Sequence, residues 1–279
     1  MIAVQQVKSQ REKVQRCPSL ARVLPALCIV IHALALIGLA ANASAQRNIE
    51  HAPALDPSQS EREARALVAD LLAQKPASTN TGWLKIRNRN GEQRQIPMRF
   101  EIWSTSSGCT SVYEAKDPGP PARETRLTVI RTNGQPTKYL LSENNQPAQT
   151  LTGDKTMVPF AGSDFYIADL GLEFLQWPQQ RVIEKRMRKS RFCEVLESTN
   201  PRPPAEGYSR VVCWVEQESP HGIVHADVYD AKGKLFKRFD PTEFEKVQGQ
   251  YQLQEMEIRN LKVDSKTRIE FDLGSGLSK

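Results

Sequence analysis

Three histidines lie beyond residue 45, and two of them, His221 and His225, stand four apart with Asp227 just beyond. On a strand all three would project from one face, because successive side chains alternate. Two imidazoles and a carboxylate are zinc-type ligands. Gly222 breaks the strand between the two histidines, however, so the set reads as polar residues on the wet face of a hairpin, and no metal is expected. The chain has no G-x-S-x-G nucleophile turn, phosphate loop, dinucleotide fingerprint or C-x-x-C pair. Carboxylates are plentiful, but no pair is marked as an acid–base couple. Neither catalysis nor a cofactor is expected. Past residue 45 the cysteines are Cys109, Cys193 and Cys213. The last two fall on neighbouring predicted strands, where they could form a disulfide or remain buried thiols acting as small apolar groups.

The N-terminus sets the compartment in which that chemistry would operate. Lys8, Arg11, Lys13, Arg16 and Arg22 precede an uncharged run from Val23 to Leu39, and small residues then end in Ala43-Ser44-Ala45. A basic region, an apolar stretch and an A-x-A site make up a secretory signal, so residues 1–45 are read as a cleavable signal peptide and the mature chain as periplasmic. The alternative is an uncleaved anchor, but the run is at the lower edge of spanning length and is interrupted by Pro25 and His32. The leader carries most of the formal charge of +6. The mature chain is nearly neutral, and no nucleic-acid partner is expected. The one dense basic cluster, Lys185 to Arg191, reads as a solvated strand edge kept charged against aggregation.

Residues 46–57 read as a flexible lead-in, followed by a single domain over 58–279. Ser58 or Ser60 opens a helix whose apolar stripe is Leu67, Val68, Leu71 and Leu72, ended by Lys75-Pro76. From Gly82 the period changes to two. Leu84 and Ile86 alternate with Lys85 and Arg87, and Asn90-Gly91 marks a hairpin turn before Ile96, Met98, Phe100 and Ile102. Further strands are expected at 110–115, 125–131, 136–142, 181–187, 191–197, 208–217, 222–229, 234–239, 249–259 and 266–273. The fold class is therefore mainly β (α+β), with about ten or eleven strands in sequential hairpins that wrap an antiparallel sheet on itself. The one break, 161–178, reads as a loop and short helix.

Aromatic residues spread over nearly the whole chain: Trp83, Phe100, Trp103, Phe165, Phe174, Trp177, Trp214, Tyr229 and Phe236. Most belong to a core. Yet a curved sheet with one apolar face must cover that face, and two short helices are too little cover for it. The shortfall suggests a cavity for an apolar ligand.

Gly162-Ser163-Asp164-Phe165 with Asp169-Leu170 resembles the SDF–DL segment of the outer-membrane lipoprotein-sorting (Lol carrier-like) family. The surroundings are similar in order: Asn80-Thr81-Gly82, Leu172-Glu173-Phe174, Trp177-Pro178, Cys193 to Glu197, Tyr208 to Val211, Trp214-Val215, Tyr229 to Lys234 and Glu255 to Ile258. The likeness runs from about residue 60 to the C-terminus. It implies an unclosed β-barrel, a strongly curved sheet with helices over its open apolar side, and a carrier that shields lipid or lipoprotein acyl chains. Inner- and outer-membrane envelope proteins would be its partners. On this reading the helix at 60–74 and residues 161–177 form a lid. Leu67, Leu71, Trp83, Phe100, Phe165, Leu170, Phe174, Trp177 and Trp214 are the candidate cavity and lid residues. Ser163 would cap the short helix, with Asp164 and Asp169 holding the loop to backbone donors. The alternative is a non-catalytic envelope-binding or scaffold module with a filled core. Oligomeric state is not readable.

Overall fold

The computed structural model describes residues 56–74, 79–218, 221–247 and 250–273. The expected signal peptide and all but the last two residues of the lead-in lie outside them. Helix α1 (Pro57–Ala73) starts slightly earlier than the serines suggest. The carboxylate of Asp56 accepts from the backbone N–H groups of Ser58 and Gln59, and Pro57 occupies the first helical position. Proline is suited there because its missing N–H would have no intrahelical partner.

Alternating apolar and polar residues then give a long meander. The first arm is β1 (Asn80–Arg87), β2 (Gln93–Thr105), β3 (Gly108–Asp117), β4 (Arg123–Thr132), β5 (Lys138–Glu143) and β6 (Gln149–Leu151). The second is β7 (Gln179–Arg188), β8 (Arg191–Thr199), β9 (Tyr208–Glu216) and β10 (Ile223–Asp230), followed by β11 (Leu235–Val247), β12 (Gln250–Asn260) and β13 (Ser265–Asp272). These thirteen strands form one antiparallel sheet ordered β6-β5-β4-β3-β2-β1-β13-β12-β11-β10-β9-β8-β7. Every neighbour pair is a sequential hairpin except β1 with β13, which joins the arms through pairs such as Leu84 with Ile269. The expected number, about ten or eleven, is below thirteen, and the one strand that no expected span covers is β6, three residues that alternation cannot detect.

β6 and β7 are the free edges, and the segment between them crosses from one edge to the other. This strap carries 3₁₀ turns at Gly153–Thr156, Phe160–Gly162 and Glu173–Gln176, and a one-turn helix α2 (Ile167–Leu170). The sheet is therefore an unclosed barrel whose gap is bridged by its own chain. Irregular pairing falls in β7, β10 and β11, at Val182/Glu184, Ile223/His225, Val228/Tyr229 and Pro241/Glu243. Such bulges bend and twist a sheet. The basic cluster begins on edge strand β7 and runs through its turn, where Lys185 pairs with Glu63 and Glu194, Arg186 with Glu184 and Lys189 with Asp240, while Arg188 lies over the Trp214 ring.

The inner face holds two apolar clusters. One is built from α1, through Ala64, Leu67, Val68 and Leu71, from β7 to β11, and from Met157, Ala168, Leu175 and Trp177 of the strap. The hydroxyl of Ser60 donates to the Val182 carbonyl at 2.7 Å and docks the helix on β7. The other is built from β1 to β6, β12, β13 and the strap. Phe239 packs against both. A third, smaller cluster of Cys193, Val195, Val212, Trp214 and Val224 lies on the opposite face.

That third cluster corrects the disulfide expectation. Cys193 pairs in register with Glu216, whereas Cys213 pairs with Leu196. An offset of three residues puts the two thiols on opposite faces of the sheet, and both cysteines are free. Burial pushes both thiols up, away from the thiolate form that reacts. Peptide mapping under non-reducing conditions should recover Cys193 and Cys213 in separate, unlinked peptides. A linked pair would show this register to be wrong.

Candidate functional site

The strap does not lie flush on the sheet. Between them is a cavity of about 320 Å³. The sheet side is supplied by Phe100 and Ile102 of β2, Tyr113 of β3, Val129 of β4, Phe239 of β11 and Met256 of β12, and the strap side by Phe165, Leu170, Leu172 and Phe174. Among the lining residues only Ser111, Arg131 and Asp169 carry hydrogen-bonding groups beyond the phenol of Tyr113. Leu172 sits in the left-handed region, at φ 50° and ψ 43°. That conformation is unfavourable for a leucine and turns the chain so that the wall continues from α2 into the last 3₁₀ turn.

The candidate residues divide accordingly. Phe100, Phe165, Leu170 and Phe174 come together around the cavity. Leu67, Leu71 and Trp177 are buried in the neighbouring cluster beneath α1, so α1 braces the second arm and the strap alone forms the wall. Trp83 is a correction: it is 43% exposed on the outer face, because it alternates with the buried Leu84. Trp214 is another. It is 5% exposed but belongs to the outer-face cluster, with the Arg188 guanidinium 4.3 Å above its ring. Alternation identifies two faces without saying which is concave.

What holds the strap is a polar anchor that the motifs and alternation of the sequence do not single out. Lys237 on β11 is fully buried (0% exposed). Its Nζ donates to the backbone carbonyl of Asp164 at 2.7 Å and to the Tyr208 hydroxyl at 2.8 Å. It lies 3.8 Å from the Asp169 carboxylate and 3.1 Å from the Tyr166 ring centre. The Tyr166 ring stacks on that of Tyr208 at 5.3 Å. Asp169 accepts from the Tyr166 N–H at 2.7 Å and from the Tyr208 hydroxyl at 2.9 Å. Burial pushes Lys237 down to about 8, against the pull of the Asp169 and Asp164 charges. Burial likewise pushes the Asp169 carboxyl up, opposed by Lys237. Shifted pKa values often mark catalysis, but here the ammonium is spent on groups of its own chain, and the pair reads as structural.

The SDF–DL residues serve this anchor. The carboxylate of Asp164 accepts from the hydroxyls of Ser265 and Thr267 on β13, at 2.5 and 2.8 Å, rather than from backbone donors. Asp169 does hold a backbone N–H, as expected. Ser163 does not cap α2, which starts four residues later. Instead its hydroxyl accepts from the Phe165 N–H at 3.2 Å and closes a local turn. The one trace of Lys237 in the sequence is a lysine sharing the strand phase of Leu235 and Phe239.

The histidines have local roles. His225 bridges Asp240 at 2.9 Å and Asp227 at 3.1 Å. Burial disfavours its charged form, but the two carboxylates outweigh this and raise its pKa. His221 meets the Glu216 carbonyl instead. Among the described residues no three histidine, cysteine or acidic side chains are grouped to hold a metal. No helix among them is long and apolar enough to cross a membrane.

In fold, this open curved sheet bridged by its own chain is similar to several solved structures. A domain of the outer membrane lipoprotein-sorting type from Vibrio parahaemolyticus superposes with a TM-score of 0.62 at 15% identity, covering 78% of this chain and 92% of that one. A DUF1329 family protein from Desulfovibrio piger gives 0.60 at 19% identity, covering 78% and 94%. A LolA superfamily protein from Nitrosomonas europaea gives 0.53 at 12%, covering 76% and 91%. A family model described only as that of an uncharacterized protein matches residues 111–273, and the chain belongs to that family. No curated protein matches the sequence significantly.

Removing one member of a buried charge pair strands the other, at a cost of about 3–5 kcal/mol. K237M should destabilise the fold by that amount in denaturant titration. Adding D169N should recover part of the loss, since the carboxylate left without its cation is then neutral. The pH dependence has a definite sign. The folded value of Lys237, about 8, lies below its ordinary 10.5, so between them the unfolded chain binds more protons and stability rises with pH. The increment from Lys237 over pH 8 to 10 should be missing in K237M.

Proposed function

We propose that the chain is an exported, periplasmic carrier that binds acyl chains of lipids or lipoproteins between strap and sheet, without catalysing a reaction. The observation that carries this reading is the cavity: about 320 Å³, within the range of roughly 300–1,000 Å³ typical of ligand sites, and walled almost entirely by apolar side chains. A scaffold module with a filled core would have no such space. The fold it shares with a domain of the lipoprotein-sorting type supports the same reading, as do a leader of secretory pattern and the want of any nucleophile or cofactor motif.

Physically, such binding needs no reaction. Each methylene taken from water contributes about 0.8 kcal/mol, close to fourfold in affinity. If a methylene fills roughly the 30 Å³ that a water molecule occupies in the liquid, the cavity holds about ten of them. A cargo with two or three long chains therefore requires the strap to swing outward. Inner- and outer-membrane partners would drive loading and release.

Two measurements test this. Native mass spectrometry of the exported protein, purified without detergent, should show added masses of lipid or acylated peptide. In a series of straight-chain ligands affinity should rise about fourfold per methylene and level off near ten carbons. The double variant I102W/L253W, which fills the space from two half-buried positions, should lose this binding while keeping its β-type circular dichroism. A clean protein mass together with no chain-length dependence would sink the carrier reading.

A further inference from the structure

Arg131 stands on the wrong face for an arginine. Along β4 it continues the inward phase of the buried Leu127 and Val129, whereas Arg126, on the outward phase, pairs with Glu114 at 2.8 Å. Arg131 borders two spaces at once. One is the apolar cavity, and the other is a groove of about 770 Å³ formed by the end of α1, the β2–β3 and β4–β5 turns and the last turn of the strap. The groove is rimmed by Gln74, Ser106, Asn133, Gln135 and Gln176, all neutral and polar.

Among the described residues, Arg131 has no carboxylate in ion-pair reach. Its hydrogen bond goes to the Cys109 sulfur at 3.2 Å, and a thiol is a weak acceptor. A guanidinium has five N–H donors in a planar fork that matches a carboxylate or a phosphate. A half-buried cation with most of that capacity unused, at the border between an apolar space and a polar one, is arranged for an amphiphile.

We propose that Arg131 is the head-group site of this cavity: the protein takes a single-chain anionic amphiphile, its tail beneath the strap and its carboxylate or phosphate on Arg131. The inference rests on the carrier reading and narrows it. An acylated peptide whose lipid end is neutral would leave Arg131 without a partner, whereas a fatty acid or a phosphate-headed lipid would satisfy it.

The test compares dodecanoate, dodecyl phosphate, dodecanol and inorganic phosphate, titrated into the exported wild-type protein and into R131Q and R131K. Wild type should bind dodecanoate, dodecyl phosphate or both at least tenfold more tightly than dodecanol, as charge-assisted hydrogen bonds require. Whichever of the two binds better identifies the head group. R131Q should lose the preference and still bind dodecanol, and its β-type circular dichroism should match that of the wild type. R131K should retain only part of it. Inorganic phosphate bound as tightly as dodecyl phosphate would overturn the amphiphile and leave a plain anion site. If wild type does not distinguish acid from alcohol, or R131Q still does, Arg131 is not the head-group site although the cavity binds chains. If no twelve-carbon ligand binds wild type, the carrier reading fails and this inference fails with it.

Discussion

An ammonium group wholly removed from water loses several kcal/mol of hydration unless every donor finds a partner. Lys237 is in that position, and the partners it finds determine the architecture. One is a backbone carbonyl of the strap, one a tyrosine hydroxyl of β9, and the third a strap carboxylate. The strap cannot leave the sheet at this point without stranding the charge. Asp164, Thr267 and Ser265 extend the same restraint to β13. The middle of the strap is thus fastened to three strands of the second arm, and the cavity begins where the fastening ends.

The hollow follows from how two cores share one face. Two apolar clusters divide the inner face: α1 contributes to one of them, the strap to both, and they meet at Phe239. Two clusters that meet along a seam leave a gap unless a large side chain spans it. Close packing is strict elsewhere. A Cβ on Gly171 would lie 2.4 Å from the Tyr139 ring, so the strap rests on β5 as closely as a glycine allows. Loose and tight contact alternate along a single connection of fewer than thirty residues.

Much of this is legible in the sequence, and the failures have physical causes. Hairpins announce themselves through alternation and through turns such as Asn90-Gly91, where Gly91 takes φ 83°, so the meander and its antiparallel sense can be read directly. Inward and outward faces cannot always be. Trp83 shares its phase with Lys85 and Arg87, a hint that size and aromaticity outweigh. Around Trp214 both phases are apolar, and no alternation exists to read. Lys237 is hidden by a bulge: Val228 pairs with Lys237 and Tyr229 with Leu235, so Phe236 is the extra residue. Phe236 and its neighbour Lys237 are both buried as a result, which strict alternation forbids. The cysteine register is a matter of three residues, finer than strand ends can be placed from sequence.

The single long-range seam in the sheet has a bearing on how the molecule is made. Each strand from β2 to β6, and from β8 to β13, meets its predecessor across a short turn, but β1 is completed only by β13, nearly two hundred residues later. As the chain is made from its N-terminus, the first arm forms with the β1 flank of its backbone donors and acceptors unmatched. It must stay so until the final strand arrives. Unpaired flanks of this kind recruit other chains. The interval between the synthesis of β1 and that of β13 is therefore the vulnerable period for this seam, and the last strand is the one that ends it.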